Sequence, residues 1–400
     1  MTSTRTGRPV YEALRDRSIL CIGTAEWRST LWTNQQHLMS RLAQANRVVY
    51  TESLGLRRPT VAGRDLRRMA RRLRQGLRGP RRIDGVWVVS PLVVPSHRSA
   101  PVRRLNRTLL RAALRMAARR ARLERPLLWA YNPHAHELID DLRPSLVVYH
   151  CVDDIAAQAG VDEASFAAAE RAIVARADLV LASARPLEAR MRALGARRVA
   201  YVPNVADVEH FASADRVPEP PEMRGLTRPR LLFAGAVAAK KLDVALLAEV
   251  ARRNSDWTLV LVGPAGEGDP RGDLSALRAL PNVLFAGERP FAELPAWIAA
   301  ADVCLIPYAH NRYTASVFPM KVYEYLAAGR PVVSTRLPAL EGIEGVIFAE
   351  GAADFEARIR DALGDDSGEA RRRRRELAGS HSWQARLEEI GELVAECEAR

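Results

Sequence analysis

RLLFAGAVAAKKLDVALLAEVARRNSDWTLVLVG, Arg230 to Gly263, reads as strand, loop, helix and strand in succession. Its ends, Arg230–Gly235 and Trp257–Gly263, are short apolar runs without polar alternation, as expected of parallel strands covered on both faces. Between them a helix is expected to start near Asp243. The pattern repeats outward in both directions. Towards the C-terminus, strands are predicted at Asn282–Gly287, Asp302–Pro307, Pro331–Thr335 and Gly345–Ala349. Towards the N-terminus they are predicted at Ser18–Gly23, Arg47–Glu52, Val86–Ser90, Leu127–Tyr131, Leu146–His150, Asp178–Ser183 and Val199–Pro203. Sustained strand–helix alternation predicts doubly wound α/β domains.

A chain of 400 residues is long for one core and predicts two domains. Arg216–Pro229 (RVPEPPEMRGLTRP) carries four prolines and no apolar period, so 216–229 reads as a linker. It would separate an N-terminal acceptor-side domain, 1–215, from a C-terminal donor domain, 230–381. The amphipathic segment 382–400, with Trp383, Leu387, Ile390, Leu393 and Val394 at helical spacing, is expected to cross back to the first domain. The expected architecture is two Rossmann-like domains facing each other across a cleft, with ligands at the carboxyl ends of the strands.

Apolar residues make up 48% and charged residues 27%, which argues against disorder. No apolar run reaches the ~18 residues of a membrane span, and Met1–Asp16 lacks a signal-like stretch. The scattered cysteines Cys21, Cys151, Cys304 and Cys397 read as buried free thiols, consistent with a cytoplasmic location. The net charge of +13 is unevenly placed: eleven arginines stand between Arg57 and Arg82 against one acid, Asp65, and a second basic stretch runs to Arg125. Two readings stay open for Arg57–Arg125, a solvated surface or a docking face for an anionic membrane on the inner side of the cell membrane. Nucleic acid ranks last, because aromatic residues to stack on bases are missing there.

Several residues point to diphosphate chemistry. Gly235 ends a strand, and Lys240 and Lys241 precede a helix, where cations oppose the helix dipole and so gain more from an anionic ligand. In SVFPMKVYEYLAAGRPVV (Ser316–Val333), Lys321 and Glu324 share one helix face; they make either a surface ion pair or a phosphate contact beside a carboxylate gripping a ribose diol. Asp302 is expected to cap a helix end, and Trp257, Trp297 and Trp383 to be core.

Four segments in order resemble the donor-binding half of the retaining, sugar-nucleotide-dependent glycosyltransferases of GT-B fold. VPNVADVEHF (Val202–Phe211) resembles their P-N-G-V-D-x-x-x-F signature, with Pro203, Asn204, Asp207 and Phe211 in register. Phe233–Asp243 resembles G-R-x-x-x-x-K through Gly235 and Lys241. Val283–Pro307 resembles V-x-F-x-G…L-P-x-x-x-x-x-A-D-V-x-L-x-P. In the fourth, Glu324 takes the place of the second glutamate of E-x7-E. Trp32–Ala43 and Tyr149–Asp154 are similar to N-terminal segments of bacterial members associated with cell-wall or exopolysaccharide synthesis. The sequence departs from the pattern at Ser316, where the first glutamate would stand, at Ala236 in place of arginine, and at Gly23–Trp27 in place of a glycine pair.

The resemblance implies a nucleotide-sugar donor held by Gly235, Lys240, Lys241, Arg289, Ser316, Val317, Phe318, Lys321 and Glu324, and transfer, with retention, to a polysaccharide, lipid-linked or small-molecule acceptor. It implies a hydrogen-bonding or proton-handling role for His150 with Asp153; a strand-end histidine satisfied by local backbone is the other reading. His134 and His136, after another strand end, are acceptor-side candidates. No D-x-D triad occurs, so no metal or other cofactor is expected. Two rival functions stay open, a sugar-nucleotide epimerase of the same fold and a catalytically inactive nucleotide-sugar-binding partner.

Overall fold

The computed structural model describes residues 12–29, 32–53, 76, 78–91, 100–157, 161–266, 269 and 272–399. The chain forms two units, Met1–Val202 with Arg386–Arg400, and Pro203–Ala385. Arginines 57, 58, 64, 67, 68, 71, 72 and 74 of the basic cluster lie outside the described residues.

The first unit is built on β1 (Ser18–Ile22), β2 (Arg47–Thr51), β3 (Arg81–Ile83), β4 (Val86–Val89), β5 (Leu127–Ala130), β6 (Leu146–Cys151), β7 (Leu179–Ala182) and β8 (Val199–Tyr201). They form one sheet in the order β3-β4-β2-β1-β5-β6-β7-β8. All pairings are parallel except β3 with β4. That hairpin turns at Asp84–Gly85, both at positive φ, a two-residue loop that the Asp-Gly pair favours. β1, β5, β6 and β7 are buried along their whole length, which is why they are apolar throughout except for Ser18 and His150. Helices α1 (Asn34–Leu42), α2 (Ala100–Ala121), α3 (Glu163–Val174) and α4 (Arg185–Ala193) belong to this unit. The C-terminal helix returns to it, with Leu387, Ile390 and Val394 fully buried and Gly391 against Ala13 and Leu14.

The second unit is an all-parallel sheet of β9 (Arg230–Ala234), β10 (Thr258–Val262), β11 (Val283–Gly287), β12 (Val303–Ile306), β13 (Val332–Thr335) and β14 (Val346–Ala349). Its order is β11-β10-β9-β12-β13-β14. Its helices are α5 (Val208–Ala212), α6 (Val244–Arg253), α7 (Leu294–Ala299), α8 (Lys321–Ala327), α9 (Gly351–Gly364) and α10 (Gly368–Gly379), followed by the C-terminal helix α11 (Trp383–Glu398). Trp257, Trp297 and Trp383 are buried, as expected.

Two expectations need correction. The proline-rich segment 216–229 lies within the second unit, and the division falls at Val202/Pro203. Phe211 and Met223 are fully buried there, and the Arg230 guanidinium pairs with Glu219. Prolines ended the helical period without ending the packing. Asp302 caps no helix: its carboxylate accepts from the Arg230 amide at 2.7 Å and pairs with Arg228, fixing the entry of β9 beside β12.

At the carboxyl ends of the adjacent strands β9, β10 and β11 stand Gly235, Gly263 and Gly287, all at positive φ. Gly235 N–H donates to Val262 O at 2.7 Å and Gly263 N–H to Gly287 O at 2.8 Å. A Cβ on Gly263 would stand 2.0 Å from the Gly235 carbonyl oxygen. Gly263→Ala therefore combines a disfavoured φ with a backbone collision. It is expected to cost roughly 2–4 kcal/mol in chemical denaturation; unchanged stability would mean that the two loops do not pack this closely.

Candidate functional site

In the second unit β9 lies between β10 and β12, and the chain order reverses there. The ends of β9 and β12 thus form the switch-point crevice, where open α/β sheets bind ligands. The loop leaving β9, Gly235–Asp243, is held by both neighbouring loops. Val237 bridges to Ala265, Leu242 bridges to Tyr308, and Ala309 N–H donates to Lys241 O at 2.9 Å. Asp243 ends the loop as the N-cap of α6, accepting from Leu246 N–H at 2.9 Å, a contact worth ~1 kcal/mol. Lys240 and Lys241 therefore sit in the loop before the cap and not in the helix.

Lys321, the first residue of α8, reaches back to this loop. A Cβ at Gly235 would stand 2.2 Å from Lys321 Cε and 2.7 Å from its Nζ, so the bare glycine makes room for the lysine. The helix is pinned beside it, because the Ala234 amide donates to the Tyr325 hydroxyl at 2.9 Å. The Lys321 ammonium lies 6.0 Å from the Phe233 ring and that of Lys241 5.2 Å from the Tyr308 ring. Those two rings are 6.2 Å apart, edge to face. No carboxylate among the described residues lies within ion-pair distance of either ammonium. Lys240 Nζ is 5.8 Å from the Tyr313 ring, and its amide donates to Asp269.

Glu324, one turn along α8 from Lys321, is 9% exposed, yet its carboxylate receives no hydrogen bond from the described residues. A surface ion pair with Lys321, one of the two readings of this helix face, does not form. Burial pushes its pKa up, while the charges of Lys321 and His210 pull it down. His210, on α5, carried no clear signal in the sequence. Its ring stacks on Phe291 at 4.4 Å, with Nε2 3.0 Å from Phe291 O. The same N-terminal segment of the unit contributes Asn204, whose side-chain amide donates to Phe318 O at 3.1 Å. Ser316, Val317 and Phe318 are buried in the approach to α8. Ser316 occupies a single 3₁₀ turn, Thr314–Ser316, and brings no charge.

Residues 228–365 match the family model for glycosyl transferases group 1. Over 234 residues the chain is 31% identical to a Bacillus subtilis (strain 168) protein named as the teichuronic acid biosynthesis glycosyltransferase TuaH. The match covers 56% of this chain and 58% of that protein, so it spans little more than half the relative's length. Among solved structures, sucrose-phosphate synthase from Thermosynechococcus elongatus superposes with a TM-score of 0.69 at 17% identity, covering 96% of this chain and 99% of that one. HepE of Anabaena, solved with UDP-glucose, superposes with a TM-score of 0.66 at 15% identity, covering 95% and 99%. The fold is the GT-B fold of these glycosyltransferases, two Rossmann-like domains.

The second unit does not bring the Arg289 side chain to its switch point. Arg289 follows β11 at the sheet edge, where it pairs with Glu222 at 3.0 Å and covers the Trp297 ring at 4.7 Å. In the first unit the expected catalytic position of His150 is also corrected. The ring is 1% exposed, stacked on Tyr131 at 4.9 Å, and neither nitrogen has a hydrogen-bond partner. Burial, with the charge of Arg386, lowers its pKa to about 3, so it is a neutral interior imidazole. It is not satisfied by local backbone either. Strand β6 runs through it to Cys151, which places Asp153 on the loop beyond, half-buried. His134 and His136 follow β5, which with β1 flanks the switch point of this sheet. Asn132 caps the His134 amide at 3.1 Å, and His136 Nδ1 lies 3.0 Å from Pro133 O. The Gly23–Trp27 loop, which stands in place of a glycine pair, is held by protein groups. Glu52 accepts from Trp27 N–H and Gln35 from Thr24 N–H, both at 2.8 Å. Cys21, Cys151 and Cys304 are buried free thiols, and Cys397 is half-buried. Among the described residues no cluster of three or more His, Cys, Asp or Glu side chains is placed to hold a metal ion.

Two pH dependences follow. The raised pKa of Glu324 means that the folded state binds its proton more tightly, so its burial penalises folding increasingly as pH rises above the ordinary carboxylate value, and fully above the raised one. Glu324→Gln should melt higher than the parent at pH 7, and the difference should vanish below the ordinary carboxylate range of about 4; equal melting curves at both pH values would contradict the burial cost. His150 has the opposite sign, because its lowered pKa contributes stability above pH 6.5 that is lost as pH falls towards about 3. His150→Phe, which preserves the stack on Tyr131, should flatten the decline of stability over that window.

Proposed function

We propose that the chain is a glycosyltransferase that moves a sugar from a nucleoside diphosphate donor to an acceptor hydroxyl, held by the β9–β12 switch point. The observation that carries this reading is the pair of unneutralised cations, Lys241 and Lys321, beside the bare backbone of Gly235, with the unpartnered carboxylate of Glu324 one turn away. The lysines take the diphosphate, and the carboxylate accepts from the two hydroxyls of the ribose. Ser316, Val317 and Phe318 line the approach, and Lys240 adds charge at its rim. In the transfer step the bond between the anomeric carbon and the diphosphate oxygen breaks, and the nucleoside diphosphate leaves with the electron pair. The acceptor oxygen bonds to that carbon and gives up its proton. Positive charge fixed at the leaving oxygens lowers the barrier to departure.

The relative's part in teichuronic acid biosynthesis supports a cell-surface polysaccharide as the acceptor class, and the HepE complex with UDP-glucose makes a uridine donor the first to try. Retention is favoured by the resemblance of the ordered motifs, with Ser316 where an acidic residue usually serves the donor sugar. Asp153, with a catalytic role, and the acceptor-side candidates His134 and His136 follow strand ends of the first unit.

Calorimetry with UDP-glucose should show Glu324→Ala and Lys241→Ala each weakening affinity about ten- to hundredfold, the scale of a lost charged hydrogen bond. Unchanged affinity in both would remove the site. Transfer of label from donor to polysaccharide acceptor supports the reaction; a donor sugar epimerised with no acceptor present would replace it.

A further inference from the structure

We propose that helix α2 docks this protein on an anionic bilayer, with Leu105 and Met116 entering the headgroup layer and arginines beside them meeting lipid phosphate. Among the described residues, Leu105 and Met116 are the large apolar side chains left exposed, at 49% and 44%, and both stand on this one helix. Eleven residues apart, they lie within ~20° of one another around the helix and roughly 17 Å apart along it. They therefore form one line on the outer face. The inner face is already spent: Leu114 and Ala117 are buried, and the helix packs on β2 and β4.

Arg104, Arg115 and Arg119 project on one flank of that line, ~40–100° round from Leu105, and all three are exposed. None has a carboxylate within ion-pair distance among the described residues, whereas Arg111, lower on the helix, is paired with Asp141. The helix contains no acidic residue. Exposed apolar side chains flanked by unpaired arginines fit a surface that offers hydrocarbon and phosphate together. A second copy would set like charges against each other. A nucleic acid would leave Leu105 and Met116 without partners, and α2 has no aromatic residue to stack on bases. No helix among the described residues is long and apolar enough to cross a membrane, so the contact is lateral.

Sedimentation with vesicles tests this on the full chain. Binding is expected to phosphatidylglycerol-containing vesicles and not to pure phosphatidylcholine, and to weaken at high salt. Arg115→Gln/Arg119→Gln and, separately, Leu105→Ser/Met116→Ser should each reduce vesicle partition about tenfold or more. Neither should change UDP-glucose affinity or the melting midpoint, since all four side chains are exposed. The proposal is overturned by absence of vesicle binding at low salt, by equal binding to neutral vesicles, or by full binding in both variants. A dimer or a nucleic-acid complex abolished by the same substitutions, without vesicle binding, would also overturn it.

Discussion

The close approach at Gly235 is the constraint on which the donor half depends. Three strands end in glycine side by side, and the chain turns at each with a positive φ that side chains resist. Without a Cβ on Gly263 the Gly235 carbonyl can lie against it, and without a Cβ on Gly235 the Lys321 stem has room. The Tyr325 hydroxyl, taking the Ala234 amide, holds α8 in register with that turn. A shift of α8 by one residue would carry Lys321 off the glycine and turn Glu324 to another face of the helix. Backbone packing at a strand end thus decides where the charges stand.

Those charges are arranged at some expense to the fold. A buried carboxylate without a donor is unfavourable, because desolvation is not repaid by hydrogen bonds. Lys321 and His210 offset part of the cost at Glu324 without forming a direct pair. Two other carboxylates of the same unit show the opposite case. Asp366 binds Arg371 and Arg374, and Asp302 binds the Arg230 amide. Glu324 differs from both in being buried and left open beside a cation that is also open. Sites that bind strongly are commonly built from groups that the unliganded fold leaves unsatisfied.

Much of this was legible in the sequence. Every expected strand forms, because parallel strands buried on both faces announce themselves as unbroken apolar runs. Gly235, Lys321 and Glu324 could be singled out because glycine at a strand end and charge at a helix start obey local rules. β3 was missed, since Arg81–Arg82–Ile83 lacks an apolar run; the Asp84–Gly85 turn was the available signal. His150 and Arg289 show what chain position leaves out. Chain position placed both at strand ends, but burial against Tyr131 and capture by Glu222 and Trp297 are tertiary facts with no local signature. His210 shows the converse, a residue without a motif of its own that packing sets beside a charge.

The arginine excess illustrates how composition and structure divide the work. A net charge of +13 by itself cannot distinguish a solvated surface from a docking face. Many of the described arginines are committed. Arg190 bridges Asp154 and Glu170 beneath Tyr149, Arg230 holds Glu219, and Arg198 holds Glu396 on the C-terminal helix. Such residues contribute to the net charge but present no available cation. The exposed, unpaired guanidiniums of α2 differ in kind, because their field is directed outward and salt alone screens it. Coupled to two exposed apolar side chains on the same helix, that field has a geometry, and geometry is what raises a charge count to a recognition surface.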